Sequence, residues 1–420
     1  MYVARLEVPW SATEFPLQGV LINSREDIAS LARYGQTVYI DQNKSISSTP
    51  KKPVQQVVAQ IFACANDTNK KRSPRVWRKY CTHQYAVKSP IGKEISQAQK
   101  LLARVDSALA ELKPTMQNLN PSAIEGIRVT SNAIVTSVLD NPDALLWLMK
   151  VKENKGRVYD HTIRSTIWAI TLGRAMGIQK SSLFALSQAV LLSGVGKSYL
   201  KKNDWLGYQG AEMTFAFARW SSMALHKLSQ CNLEPRVMTI IAGMTERYDG
   251  SGLPHKKAGK DIPYLSQIAS LAESFDLILY PMPGNKKRLF SQALARLYCL
   301  SDRLFDRVLV EEFIQATGLY PAGTQVILSD GSKGVVVEQS KARRLRATVA
   351  LTHDSDGYRL LSYQVVALGE GKFKNTLIER EAPISQINQD DQTRINQLIK
   401  KHQRHLVSRV VDGFSGMFSR

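Results

Sequence analysis

Two short stretches hold the residues best suited to phosphate chemistry. In "VLLSGVGKSYL", Val190 to Leu200, an apolar helical run meets a short turn carrying Gly194 and Gly196, then the amine of Lys197. In "TERYDGSGLP", Thr245 to Pro254, Gly250 and Gly252 permit turns at positive φ and Pro254 stiffens the exit. One reading of Lys197 is a plain surface lysine. The Gly-Lys-Ser run lacks the spacing of a phosphate-binding loop, and the chain has no HExxH and no GxSxG. These stretches do not define a reaction by themselves.

The elements that must position them follow from periodicity. Ile163, Ile167 and Ile170 share one helical face, as do Val237, Ile240, Ile241 and Met244, and Ile268, Leu271, Ala272, Phe275 and Leu279. The spacing predicts a helical domain of nine or ten helices over residues 93–318. Ahead of it, residues 1–41 read as short strands around a helix in "SREDIASLARYG", and residues 42–92 as a basic polar linker. Behind it, "TQVILSDGSKGVVVEQ" and "LRATVALTHDSDGYRLLSYQVVAL" read as two hairpins in a β unit spanning residues 319–371. A polar tail with a helical stretch fills residues 372–420. The expected fold is mainly α, a helical bundle with a small N-terminal α+β domain and a small C-terminal β unit.

Composition narrows the class. The 420 residues are 44% hydrophobic, enough for a sizeable core, and carry a formal net charge of +20, which favours an anionic partner or only a solvated basic surface. Cys64, Cys81, Cys231 and Cys299 form no CxxC pair, so free thiols in a reducing compartment are expected. No apolar run is long enough to span a membrane, and the start lacks a secretory pattern. The expected location is cytoplasmic. "HLVSRVVDGFSGMFSR" offers either a peripheral anchor on an anionic membrane or a tail helix packed on its own domain.

"YDHTIRSTIWAITLGRAMGI", "LLSGVGKSYL", "ERYDGSGLP" and "DIPYLSQIASLAESFD" together resemble the HD-GYP domain, a bacterial family that hydrolyses cyclic di-GMP at a two- or three-metal centre. "EVPWSATEFPLQGVLINSREDIASLARYGQTVYID" is similar to the domain of unknown function often fused ahead of it, and "YPAGTQVILSDGSKGVVV" to an extension that follows it. The resemblance implies an HD-type helical bundle. It also implies where metal ligands would stand. A metal must lower the pKa of a bound water and neutralise phosphoryl charge, which calls for imidazoles and carboxylates from several helices.

On that resemblance His161 and Glu273 stand at retained ligand positions, and Arg157, Ser193, Gly194, Trp220, Met244 and Thr245 at positions where the ligand is replaced. His161 is also readable as a hydrogen-bonded helix histidine. Lys197, with Lys286 and Lys287 of "PMPGNKK", is the candidate nucleotide-binding set; Met282 and Asn285 stand in that run where the family has arginines. The loop residues Arg247, Asp249, Gly250, Gly252, Leu253 and Pro254 are the candidate partner-docking set, with Arg247, Lys256, Lys257 and Lys260 as a basic rim. A turn that the fold simply needs is the other reading of that loop.

The expectation is an HD-GYP-like protein without catalysis, cofactor or metal, regulating or adapting cyclic di-GMP signalling by binding a partner such as a diguanylate cyclase, or cyclic di-GMP itself. The alternative is an active phosphodiesterase with a rearranged metal site using His161, Glu273 and His226 or Asp249. A nucleic-acid binder acting through the basic linker is the third reading.

Overall fold

The computed structural model describes residues 2–6, 8, 20–22, 30–34, 38–40, 81–115, 121–151, 157–206, 208–209, 212–281, 288–339, 347–382, 391, 393–399 and 401. Most of the basic linker, Lys286 and Lys287, and the tail from residue 402 lie outside them. The chain divides into two units, residues 1–60 and 61–420.

In the first unit, β1 (Tyr2–Leu6) pairs antiparallel with both β2 (Val20–Leu21) and β3 (Val38–Ile40). Val3 and Leu31 are buried, and Val8, Ile22, Tyr34 and Val38 pack against them. The strands are those expected of this segment; of the expected helix in "SREDIASLARYG" only residues 30–34 are described, with a 3-10 turn at Ala32–Tyr34.

The second unit is built on α1 (Ile91–Thr115), α2 (Pro121–Asp140), α3 (Pro142–Val151), α4 (Arg157–Ala175), α5 (Lys180–Lys197) and α6 (Lys202–Leu206). A short hairpin follows, β4 (Tyr208–Gln209) and β5 (Glu212–Met213). Then come α7 (Phe215–Ala218), α8 (Trp220–Leu228), α9 (Pro235–Gly243), α10 (Tyr264–Leu279), α11 (Phe290–Tyr298) and α12 (Arg307–Thr317). Twelve helices thus stand among the described residues from Ile91 to Thr317, where periodicity predicts nine or ten. The one-turn helices α6 and α7 are too short to show a repeat, and α7 and α8 abut at Arg219, which caps both.

The apolar faces read from the sequence all point inward: Ile167, Ile170, Val237, Ile241, Leu271 and Phe275 are buried. Helix α4 lies between α5 and α10, and α5 also packs on α2, α8 and α9. One aromatic cluster fixes this arrangement. Trp168 of α4 meets Phe275 of α10 edge-on with centroids 5.4 Å apart, and both touch Phe290 of α11 and Phe313 of α12. The rings therefore set the spacing between α4 and α10, two of the three helices that carry the site.

The C-terminal strands β6 (Gln325–Leu328), β7 (Lys333–Glu338), β8 (Thr348–His353), β9 (Arg359–Ala367) and β10 (Ile378–Glu381) form one antiparallel sheet in the order β10-β6-β7-β8-β9. Both expected hairpins are present. The β unit extends to Glu381 rather than ending at residue 371, because β10 pairs with β6. Glu381 then accepts from the amides of Phe290 (2.9 Å) and Ser291 (3.1 Å), capping the N-terminus of α11 and tying sheet to helices. Residues 393–399 are helical, and Asn396 accepts from the Trp147 indole at 2.9 Å, so this part of the tail docks on α3.

Candidate functional site

"VLLSGVGKSYL" is not a helix end followed by a turn: α5 runs unbroken through Lys197. Glycine is a poor helix former, and tertiary contact overrides that cost. A Cβ at Gly196 would collide with the Trp220 carbonyl oxygen and lie 2.8 Å from the Ala224 Cβ, so α5 and α8 approach closely only because none is there. The continuous helix places Ser193 and Lys197 four residues apart on one face. On α4, His161 and Arg164 are three apart; on α10, Glu273 and Asp276 are three apart. These three faces converge.

His161 Nδ1 lies 2.8 Å from Asp276 Oδ2, and its Nε2 lies 3.6 Å from Glu273 Oε1. The Asp276 carboxylate accepts from Nδ1. Arg164 grips the same carboxylate with two donors, Nε to Oδ1 at 2.7 Å and a terminal nitrogen to Oδ2 at 3.1 Å, while its guanidinium stacks 4.1 Å from the Tyr280 ring centre. The Lys197 ammonium donates to Ser193 Oγ at 2.8 Å, pairs with Glu273 Oε1 at 3.0 Å, and lies 4.5 Å from the centre of the Trp220 ring. Trp205 closes the site edge-on to His161.

Burial governs the electrostatics. Lys197 has 0% exposure, and burial pushes its amine below the ordinary lysine value, with Glu273 and then Asp276 opposing that shift. Burial would raise both carboxyls. For Glu273 the charge of Lys197 and the contact with His161 outweigh it, and the net shift is downward. For Asp276, Arg164 and His161 do the same. Burial would likewise lower Arg164, and Asp276 more than offsets it. Two carboxylates, Glu273 and Asp276, thus face the Lys197 ammonium and the Arg164 guanidinium.

The positions that the resemblance assigns to metal ligands are filled by other things. Ser193 Oγ donates to the Val190 carbonyl at 2.6 Å and accepts from Lys197. Gly194 faces Thr162, whose Oγ1 would lie 3.2 Å from an added Cβ. Trp220 and Met244 are buried apolar side chains. Thr245 Oγ1 donates to the Leu253 carbonyl at 2.6 Å and serves the loop instead. Arg157 opens α4. His226 is exposed on α8, and Asp249 is exposed with its carboxylate accepting from the Ser251 amide at 2.9 Å, so neither joins His161 and Glu273. Among the described residues no group of three or more His, Cys, Asp or Glu side chains is arranged to hold a metal ion. A divalent cation held about 4 Å from the Lys197 ammonium would meet repulsion on the order of 8 kcal/mol at an effective dielectric of about 20. The residues present do not fit a two-metal centre.

The site residues that sequence reasoning missed are Asp276, Arg164 and Trp205. The signal for the first two is the i, i+3 spacing of Glu273 with Asp276 and of His161 with Arg164 on facing helices. Trp205 has no such signal, because its approach to His161 depends on how α6 folds back.

The "DGSGLP" loop is tied from inside. The Glu246 carboxylate accepts from the His255 amide (2.8 Å) and the Lys257 amide (2.9 Å). Gly250 has φ +79, as a turn glycine should. Gly252 is needed for a different reason than expected: it is not at positive φ, and a Cβ there would collide with the backbone of Glu246 and Arg247. Arg247 does not belong to a basic rim. It is 4% exposed and donates to Ser270 Oγ and the Glu246 carbonyl. Leu253 is half-buried, whereas Asp249, Pro254, Lys256, Lys257 and Lys260 are exposed.

A family model described as HD domain matches residues 148–309, and a domain of unknown function (DUF3391) matches residues 1–121. Residues 148–309 are thus similar to the HD domain. Both matches agree with the resemblance carried by the helical motifs and by the N-terminal stretch. The chain is 27% identical over 240 residues to Cyclic di-GMP phosphodiesterase PA4108 of Pseudomonas aeruginosa, covering 56% of this chain and 58% of that one. It is 39% identical over 70 residues to Cyclic di-GMP phosphodiesterase response regulator RpfG of Xanthomonas campestris, covering 17% and 18%. The chain therefore spans less than two thirds of the length of these curated relatives. A solved structure, the HDG"Y"P protein Bd1817 from Bdellovibrio bacteriovorus, aligns at a TM-score of 0.44 and 16% identity over 62% of this chain and 76% of that one. No helix among the described residues is long and apolar enough to cross a membrane.

Proposed function

We propose that this chain is a non-hydrolytic member of the HD-GYP family, acting by binding as a regulator or adaptor in cyclic di-GMP signalling. One observation carries the reading: the Lys197 ammonium sits inside the pocket, 3.0 Å from Glu273 Oε1 and 2.8 Å from Ser193 Oγ. Hydrolysis of a phosphodiester at neutral pH needs a metal-bound water, and a fixed ammonium on the surviving carboxylate opposes metal binding there. A phosphate role for Lys197 would require it to leave this buried pair. Any nucleotide contact falls instead to Lys286 and Lys287, and any partner contact to the exposed part of the loop. The cyclic di-GMP assignment rests on the likeness to two cyclic di-GMP phosphodiesterases.

The test is elemental analysis of the purified chain together with a cyclic di-GMP hydrolysis assay. The expected result is no stoichiometric transition metal and no turnover. About two metals per chain, with turnover abolished by His161→Ala, would establish the rearranged phosphodiesterase instead.

A further inference from the structure

Residues 406–420, "LVSRVVDGFSGMFSR", lie outside the described residues, and their pattern is written in the sequence. At about 100° per residue, their seven apolar side chains fall within one arc of about 140°. The arc runs from Leu406 and Met417 through Val410 and Phe414 to Phe418 and Val411. Every polar residue and glycine of the stretch falls on the remaining face, with Asp412 and Ser419 opposite the apolar centre and Arg409 and Arg420 towards one border. As a helix it would be about 22 Å long. That is too short to span a bilayer, which takes about 20 apolar residues.

The folded protein holds the root of this stretch. The Asp391 carboxylate accepts from the Tyr363 hydroxyl of β9 at 2.8 Å and pairs with Arg359 of the same strand. Ile395 and Ile399 are buried, and Asn396 accepts from Trp147 of α3. Residues 400–405 then bridge to Leu406, a reach of about 20 Å when extended. An apolar arc of this width is costly to leave in water. Among the described residues, the large apolar side chains left exposed are Val87, Val129, Phe215, Tyr358, Leu361 and Leu377. They are spread over α2, α7, the β unit and the segment before α1, and offer no continuous groove to receive it.

Charge selects the cover. Residues 400–420 hold five lysines and arginines against one acid, Asp412. That excess suits an anionic lipid surface, and long basic stems at the borders of the arc reach back to headgroups while the apolar face enters. A bilayer boundary takes such an arc without shape complementarity. Gly413 and Gly416 disfavour a helix in water, so its formation depends on that boundary. We propose that residues 406–420 form an amphipathic helix lying in the plane of an anionic membrane, a peripheral anchor that salt releases. This goes beyond the non-hydrolytic reading and does not depend on it.

The test is flotation of the full chain with vesicles of phosphatidylcholine and phosphatidylserine, and with vesicles of phosphatidylcholine alone. The full chain should float with the first, gain helical ellipticity on binding and be released by raised salt; it should not float with the second. Val410→Asp/Phe414→Asp should weaken binding by at least about tenfold while keeping Tm within about 1 °C. Arg404→Gln/Arg409→Gln should weaken it by about 30-fold. No flotation of the full chain with phosphatidylserine vesicles overturns the proposal, as does equal flotation with phosphatidylcholine alone. If Val410→Asp/Phe414→Asp melts more than about 5 °C lower, or does not fold, the apolar face is packed on the protein's own domain and the proposal fails. If that variant folds and floats as the parent does, another surface binds the vesicles and the proposal fails as well.

Discussion

The Asp276 carboxylate shows how a single residue can dominate this pocket. It accepts from His161 and from two donors of Arg164 while fully buried. Its pKa and that of Glu273 are held below the ordinary carboxylate values, so folding favours their charged forms. Their stabilisation is fully present above the unfolded values, about 3.9 for Asp and about 4.3 for Glu. It is lost as pH falls through the lower folded values. Thermal midpoints measured from pH 7 downward should therefore hold to about pH 5 and then drop steeply. Asp276→Asn should cost about 3–5 kcal/mol at neutral pH, because it leaves Arg164 buried beside a neutral amide, and should flatten the acid decline. An acid limb as steep as the parent's would count against Asp276 as its source.

At the scale of elements, the close approach of α5 and α8 deserves a direct test. Both Lys197 and Trp220 reach the pocket because Gly196 lets the helices touch. Gly196→Ala improves helix propensity by about 1 kcal/mol yet drives a methyl group into the Trp220 carbonyl and the Ala224 side chain. The obstacle is backbone, so the helices must separate. The expected net effect is a loss of about 1–3 kcal/mol, read as a lower Tm, with weaker shielding of the Trp220 fluorescence. A variant as stable as the parent would mean that α8 shifts freely. This contact also explains the misread turn: glycine within four residues of a lysine looks like a helix exit until the partner helix is known.

For the whole molecule, a net charge of +20 makes association with an acidic partner dependent on ionic strength. On the proposed reading the exposed lysines of the loop would meet such a partner, since Arg247 is buried. Lys256→Glu/Lys257→Glu alters side chains while leaving the Glu246 hydrogen bond to the Lys257 backbone in place. The double variant should keep its Tm within about 1 °C, consistent with ordinary surface substitutions. Binding to a diguanylate cyclase domain, followed by surface plasmon resonance, should lose on-rate and salt dependence together. A folded variant that binds such a domain with unchanged rates would remove the loop from the interface.

The sequence by itself determined the class of most elements and the likeness of residues 148–309 to the HD domain. Apolar spacing over α4, α9 and α10 specified buried faces, the Asp-Gly turns specified both hairpins, and the motif residues around His161 and Asp249 specified that likeness. These signals are local, written at spacings of two to four residues. The pocket is not local. Lys197 and Glu273 are far apart in the chain, and nothing at either position says that their charges meet at 3.0 Å or that Arg164 closes on Asp276. The same holds for β10, which belongs to the sheet only because β6 offers it an edge. The residue types at the positions the resemblance assigns to ligands can be read in the chain; what surrounds them depends on which side chains three helices bring together, and only packing in three dimensions decides that.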